Sequence, residues 1–364
     1  MKVQNRYQLR IFRGREDLGM LFEAWKFIGG KMQSPCFVQL PEWTEAFISV
    51  EPEARSRFRG ILVSKEEKPF AVIPLEHYSL SRFGLRFGAW RLFWPNDMGI
   101  NDLVCEPGSD LDGLLDAIIE TLAGEAEPFD LILFQNAVEG SSVSAMLETS
   151  KPRRKVSVYS HDSKYVLCRS SYQSTLAGVS GKFKRNIRRK LRNLNSLGTI
   201  SFESVRKDTD LEKAFGEFLR TEASSWKGNA RTALLYDHAL RRFYEELTER
   251  LATNRKCVID TLRLNGEPIA AQYGVITGNT YHLLKIGYND EYKGQSPGAL
   301  LLDHTIQICS GHPVIRKISF VTGAKWNDDW APQKLSVFNH YIYRETLKGG
   351  LGLLLHSLKR LAIR

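Results

Sequence analysis

The stretch Thr280–Ile306, TYHLLKIGYNDEYKGQSPGALLLDHTI, decides the fold. TYHLLKIGY reads as a strand and ALLLDHTIQIC as a helix, with the glycine loop GQSPG, Gly294–Gly298, between them. A strand that passes through a glycine loop into a helix belongs to an α/β or α+β core. The loop fits G-x-S-x-G and admits three readings. As a nucleophile elbow it fails on two counts: the residue after Ser296 is Pro297, which has no N–H for an oxyanion hole, and NDEYK separates the loop from its strand. As a helix start it is well formed, with Ser296 at the N-cap and Pro297 at N1, but Gly298 then weakens the first turn by about 1 kcal/mol relative to alanine. As an anion site it explains the glycine, because helix N–H groups and dipole suit a pyrophosphate that must approach the backbone closely. Spacing alone leaves the last two readings open.

Working outward, KCVIDTLRLN, PIAAQYGVIT and TYHLLKIGY form an antiparallel meander, joined by turns at Asn265-Gly266 and Gly278-Asn279. Before it lie a basic helix (181–198), the strand TISFESV and two helices (210–226 and 235–253); after it come the helix from Ala299, the strand VIRKISFVTG and the aromatic loop AKWNDDWAP. The first half has a helix at 16–30 stopped by Gly29-Gly30, the hairpin FRGILVSKEEKPFAVIPL, a helix at 111–124 capped by Asp110 and closed by Gly124, and the covered strand FDLILFQNA. SSVSAMLETSKPRRKVSVYSHDS (141–163) reads as the junction.

At 364 residues, 43% apolar and 25% charged, the chain is long for one compact core and predicts two domains. Five cysteines, Cys36, Cys105, Cys168, Cys257 and Cys309, are scattered without a C-x-x-C pair, so neither a disulfide framework nor a zinc site is expected. The eight histidines show no metal-ligand spacing, and no metal is expected. The N-terminus lacks an apolar core of a signal, which predicts an unprocessed, cytoplasmic protein. Net charge is −3 over residues 1–160 and +13 over the rest, so the second half is expected to meet an anion.

FKRNIRRKLRNL, SSWKG, FYEELTERLA, LRLNGEPIAAQYGV, YHLLKIGYNDEYKGQSPGALLLDHTI and ISFVTGAKWNDDWAP, in that order, resemble the cellulose-biosynthesis-protein (CelD-like) branch of the GNAT acyltransferases, which is similar to the Fem-type aminoacyl transferases. The resemblance covers about residues 165–335. It implies an α+β (α/β) architecture of two tandem GNAT-like domains, each a mixed sheet flanked by helices: a degenerate one at 1–155 and an acyltransferase domain at 160–345. Residues 346–364, with GLGLLLHSLKRLAIR, read by themselves as a basic amphipathic helix that caps the fold or faces a membrane. The resemblance further implies acetyl-CoA or another acyl-CoA as co-substrate. Donor contacts then fall to Leu283, Leu284 and Ile286 on the strand and to Lys293, Gly294, Gln295, Ser296, Gly298 and Ala299 at the loop. The usual superfamily loop, Gln/Arg-x-x-Gly-x-Gly/Ala, here lacks its final small residue, and Asp328 stands where the family leads one to expect a basic residue.

Direct acyl transfer needs a deprotonated acceptor and a proton for the leaving group. Glu222 is the expected base, and Tyr288 and Tyr292 the expected acids. Lys227, Gln272, Lys285 and Lys325 are expected to contact an anionic acceptor, a saccharide or amine, with Trp226 and Trp326 as its flat walls. Seven of the eleven residues Lys182–Arg192 are Lys or Arg, opposite an apolar stripe of Phe183, Ile187, Leu191, Leu194 and Leu197. The charged face reads either as the solvated back of a core-facing helix or, since like charges at i,i+4 do not serve helix stability, as a site where Lys182, Lys184, Arg185, Arg188 and Arg189 meet an anion: a donor phosphate, tRNA, an acidic saccharide or an anionic membrane. The reading is therefore an acyltransferase for an envelope or exopolysaccharide precursor, with an aminoacyl-tRNA-dependent transferase and a non-catalytic module at the inner membrane surface as its alternatives.

Overall fold

The computed structural model describes residues 6–93 and 99–363, without the side chains of 208, 229 and 360–363. The chain divides into two compact units, one formed by the residues up to Asp162 together with Leu335 onward, the other by Ser163–Lys334.

In chain order the first unit contains β1 (Gln8–Arg13), α1 (Gly19–Lys31), α2 (Pro41–Val50), α3 (Pro52–Arg57), β2 (Phe58–Lys65), β3 (Lys68–Arg82), β4 (Leu85–Leu92), β5 (Val104–Cys105), α4 (Leu114–Ala123), β6 (Leu131–Val138) and α5 (Ser142–Ser150). β7 (Lys155–Leu167) starts in this unit and ends in the second. The sheet order is β1-β2-β3-β4-β6, and β5 pairs with β3. Alternation along β2 sends Leu62 to the α1 side, against Leu21 and Trp25, and Ile61 and Val63 to the α4 and α5 side, with Ile118 and Met146.

The second unit adds α6 (Tyr172–Thr175), α7 (Gly181–Asn195), β8 (Ile200–Val205), α8 (Asp208–Ala223), α9 (Trp226–Asn229), α10 (His238–Ala252), β9 (Cys257–Leu264), β10 (Glu267–Thr277), β11 (Thr280–Tyr288), α11 (Pro297–Cys309) and β12 (Lys317–Ser319). Its sheet runs β7-β12-β11-β10-β9-β8, antiparallel except for the β11–β12 pair. One face carries α7 and α11, packed through Ile187, Leu301 and Ile306 onto Val258, Leu262 and Tyr281. The other carries α8 and α10, whose Phe218 and Tyr244 rings lie 6.1 and 5.2 Å from that of Tyr273. Covered on both faces, β9 and β10 are almost continuously buried. Finally β13 (Gln333–Tyr343) pairs with β6, and α12 (Leu347–Ile363) follows it in the first unit.

The meander, both of its turns and the first-half hairpin stand where the sequence puts them, Asn265 and Gly266 having φ of 52° and 86°. Other expectations are corrected. Residues 141–163 are not a loose junction: Ser141 caps α5 by accepting from Ser144 N, and the unit boundary falls inside β7. Gly29 and Gly30 lie within α1 rather than ending it. Gly113, with φ of 73°, precedes α4, while Asp110 accepts from Asp112 N one turn earlier. The strand expected at 314–323 pairs only over Lys317–Ser319, and Leu335–Tyr343 belongs to the first unit because it pairs with β6. No helix among the described residues is long and apolar enough to cross a membrane.

Candidate functional site

β12 runs beside β11 only where Lys317–Ser319 faces Thr280–His282. There the two strands part. Phe320 N donates to Lys164 O at 2.9 Å, so the chain after β12 stays with β7, whereas β11 continues with β10 until Asn289 N donates to Ile269 O at 2.9 Å. At the parting, Tyr273 faces Lys285 and Gly274 faces Leu283, which makes Leu284 the extra residue of a β-bulge and bends β11. Because Asn289 faces β10, antiparallel alternation turns the amides and carbonyls of Ile286 and Tyr288 toward the opened edge. Lys227 Nζ reaches that edge, donating to Ile286 O at 2.9 Å.

The opened edge leads to the start of α11. After a 3-10 turn, Asp290–Gln295, Ser296 takes φ of 54° and Pro297 and Gly298 begin the helix. Ser296 occupies the N-cap position, but its hydroxyl makes no cap bond; Ser296 N donates to Lys293 O and Ala299 N to Ser296 O, both at 3.0 Å. These two amides, expected to be open to a ligand, are thus engaged within the loop. Gly298 N stands at N2, where the helix supplies no acceptor. A Cβ on Gly298 would meet the Tyr288 ring at 3.4 Å and Ile286 at 3.5 Å, ordinary contacts, so the protein's own packing does not require a glycine there. α7 lies alongside: Lys190 Nζ donates to Gly294 O, and Arg188, after the Tyr172 hydroxyl, opposes the rise that burial imposes on the carboxyl of half-buried Asp303. Lys182, Arg185, Arg188 and Arg189 are exposed, whereas Lys184 is half-buried and donates to Leu176 O.

Glu222, expected as a free base, is held. It is 2% exposed, one carboxylate oxygen 2.7 Å from Lys227 Nζ and the other accepting from Leu234 N at 2.9 Å. Its backbone sits against Gly287, where any Cβ would fall 2.5 Å from Glu222 Cα; only glycine lets α8 come this close to β11. Gln272 is corrected as well: it is fully buried, its amide on Asp260, Tyr281 and Thr305, and it presents nothing to a ligand. Lys285 turns toward α10, its Nζ 5.7 Å from the Tyr244 ring centre. Leu283 is buried beneath α11, while Leu284, Ile286, Tyr288 and Tyr292 are half-buried. Trp226, Lys325 and Trp326 are exposed.

The sequence reading missed Lys164. It is 4% exposed, and its ammonium binds Gly323 O at 2.8 Å, Ala324 O at 3.2 Å and the Asp328 carboxylate at 2.7 Å, which ties the aromatic loop to β7. A lysine inside the strand run SKYVL is the one signal of it, since a buried ammonium must find partners. The same loop seats Trp330 against Phe183 of α7, ring centres 4.9 Å apart.

Residues 181–330 match the acetyltransferase (GNAT) domain family. No curated protein matches the chain. Among solved structures, a conserved protein of unknown function from Bacteroides thetaiotaomicron VPI-5482 superposes with a TM-score of 0.59 at 14% identity, covering 89% of this chain and 97% of its own. FemX superposes with a TM-score of 0.59 at 11% identity over 96% and 100% of the two chains. The C-terminal domain of a putative lysylphosphatidylglycerol synthetase from Agrobacterium fabrum gives 0.55 at 10% identity over 93% and 96%. At such identities the likeness is one of fold. The parted β11 and β12 and the glycine-bearing start of α11 therefore lie in the stretch, residues 181–330, that matches the acetyltransferase (GNAT) domain family.

Proposed function

We propose that the second unit transfers an acyl group from coenzyme A to an amine or hydroxyl of a cell-envelope or exopolysaccharide precursor, by direct attack and without a covalent enzyme intermediate. The observation that supports it is the opened edge of β11 leading to Gly298 N, an unpartnered helical amide beside a glycine that internal packing does not demand. In this reading the edge at Ile286 and Tyr288 aligns the amide arm of the donor, and Gly298 N with the α11 dipole holds the pyrophosphate. The acceptor nitrogen or oxygen forms its bond to the acyl carbon and releases its proton to solvent, the carbon–sulfur bond breaks, and the leaving thiolate takes a proton from Tyr288 or Tyr292, which regains one from solvent. Lys227, held by Glu222 at the opened edge, faces developing negative charge with the one N–H its two partners leave over. Lys325 and Trp326 receive the acceptor. The saccharide nature of that acceptor rests on the CelD-like resemblance.

Titration with acetyl-coenzyme A tests this. The wild-type chain is expected to bind, Gly298→Asp to lose binding, and Gly298→Ala to keep its fold while binding more weakly. A Gly298→Asp protein with unchanged donor affinity removes the central claim. The exposed Arg185, Arg188 and Arg189 beside the loop favour a second reading, an aminoacyl-tRNA donor, which predicts tRNA binding that falls steeply as salt rises.

A further inference from the structure

α12 is built the wrong way round for a helix that only covers a sheet. Its inner face carries Gly349, Gly352 and His356. A Cβ on Gly352 would lie 2.7 Å from the Tyr343 ring and 2.8 Å from that of Phe87, and one on Gly349 would lie 2.5 Å from Arg344 O. His356 is 2% exposed, 3.0 Å from both Arg82 and the Tyr343 hydroxyl. At 3.6 residues per turn Leu347, Leu351, Leu354 and Leu358 fall within about 60° of arc on the opposite side. They are 99%, 43%, 55% and 52% exposed. A surface helix ordinarily turns its leucines inward and its small and polar residues outward. Here close approach to the sheet takes Gly349 and Gly352, and although Leu353 packs against the cluster of Phe87 and Tyr343, four leucines are left on the outside.

Within the helix the charges are of one sign, Glu345 standing just before its start. Lys348 and Lys359 are exposed along the flank of the stripe, Arg154 lies 3.1 Å from the Cβ position of Gly350, and the helix contains no Asp or Glu. A second copy of the chain laid on the stripe would bring lysine toward lysine. We infer that the outward leucine face of α12 docks on an anionic lipid bilayer, the leucines entering the acyl boundary and the flanking cations meeting headgroup phosphates. This stands apart from the transfer chemistry proposed above, and either can fail without the other.

Flotation of the full chain with vesicles of phosphatidylglycerol and phosphatidylcholine, compared with phosphatidylcholine alone, tests it. The wild-type protein is expected to float with the anionic vesicles and at least roughly tenfold less with the neutral ones. Leu351→Gln/Leu354→Gln is expected to lose binding by a similar factor at an unchanged thermal midpoint, since both side chains are exposed. Lys348→Glu/Lys359→Glu, which leaves the stripe intact, is expected to lose the preference for phosphatidylglycerol. A wild-type chain that does not float, a leucine variant that floats as well as wild type, or a stripe that light scattering shows buried in a dimer would each overturn the inference.

Discussion

Glu222 shows how a residue type suited to one role can be committed to another. A carboxylate near the end of α8, just before SSWKG, reads as a base, yet both of its oxygens are taken, one by an ammonium and one by a backbone N–H. Glu222 instead holds Lys227 against the carbonyl of Ile286. Glu222→Ala would strand a half-buried ammonium and the buried Leu234 N–H, so it is expected to destabilise the chain by about 2–3 kcal/mol. Chemical denaturation measures this; a loss below about 0.5 kcal/mol would mean that the pair is no anchor. Gly298 makes the complementary point. Sequence marked it as costly to a helix, and the structure finds no crowding that justifies the cost.

Among the elements, the aromatic loop is held from a distance, by Lys164 and by the packing of Trp330 on Phe183. Lys325–Trp330 forms a short 3-10 turn with few backbone bonds of its own, and Lys164 supplies three contacts from β7. Lys164→Met keeps the length of the side chain and removes the ammonium. On the function proposed above, the expected result is a raised KM for the acyl acceptor with unchanged affinity for acetyl-coenzyme A, because the contacts that Lys164 makes lie in the aromatic loop and not in the loop before α11. Equal losses of both affinities would show that the aromatic loop also shapes the donor site. β11 carries the contrary lesson, its strand character being plain in TYHLLKIGY. The bulge at Leu284 and the parting from β12 were not, because they depend on which neighbour each backbone group meets.

Across the whole molecule, each unit holds a histidine that burial keeps neutral. His282, beside Thr277 in the second unit, is pushed down to about 3, chiefly by burial and further by Lys317. His340, bonded to Ser157 in the first unit, is pushed down to about 4 by burial and by Lys155. The unfolded chain protonates these rings near pH 6.5, so below that pH it binds more protons than the folded one and stability falls with falling pH. Between pH 6.5 and about 4 each ring removes up to about 1.4 kcal/mol per pH unit. Urea midpoints at pH 7 and pH 5 should show this loss, and His340→Gln should lessen it; an equal slope in that variant would assign the effect elsewhere. The sequence by itself determined the strands of the meander, the helix beginning at Pro297, the basic face of α7 and the likeness to GNAT proteins, because local spacing, turn residues and short motifs carry all of these. The tertiary structure alone decided that β12 leaves β11 after Ser319, that Glu222 is spent on Lys227, that Lys164 holds a loop about 160 residues away in sequence, and that α12 turns its glycines inward. Each of these depends on contacts between segments far apart in the chain, and a pattern of residue types along one segment does not contain them.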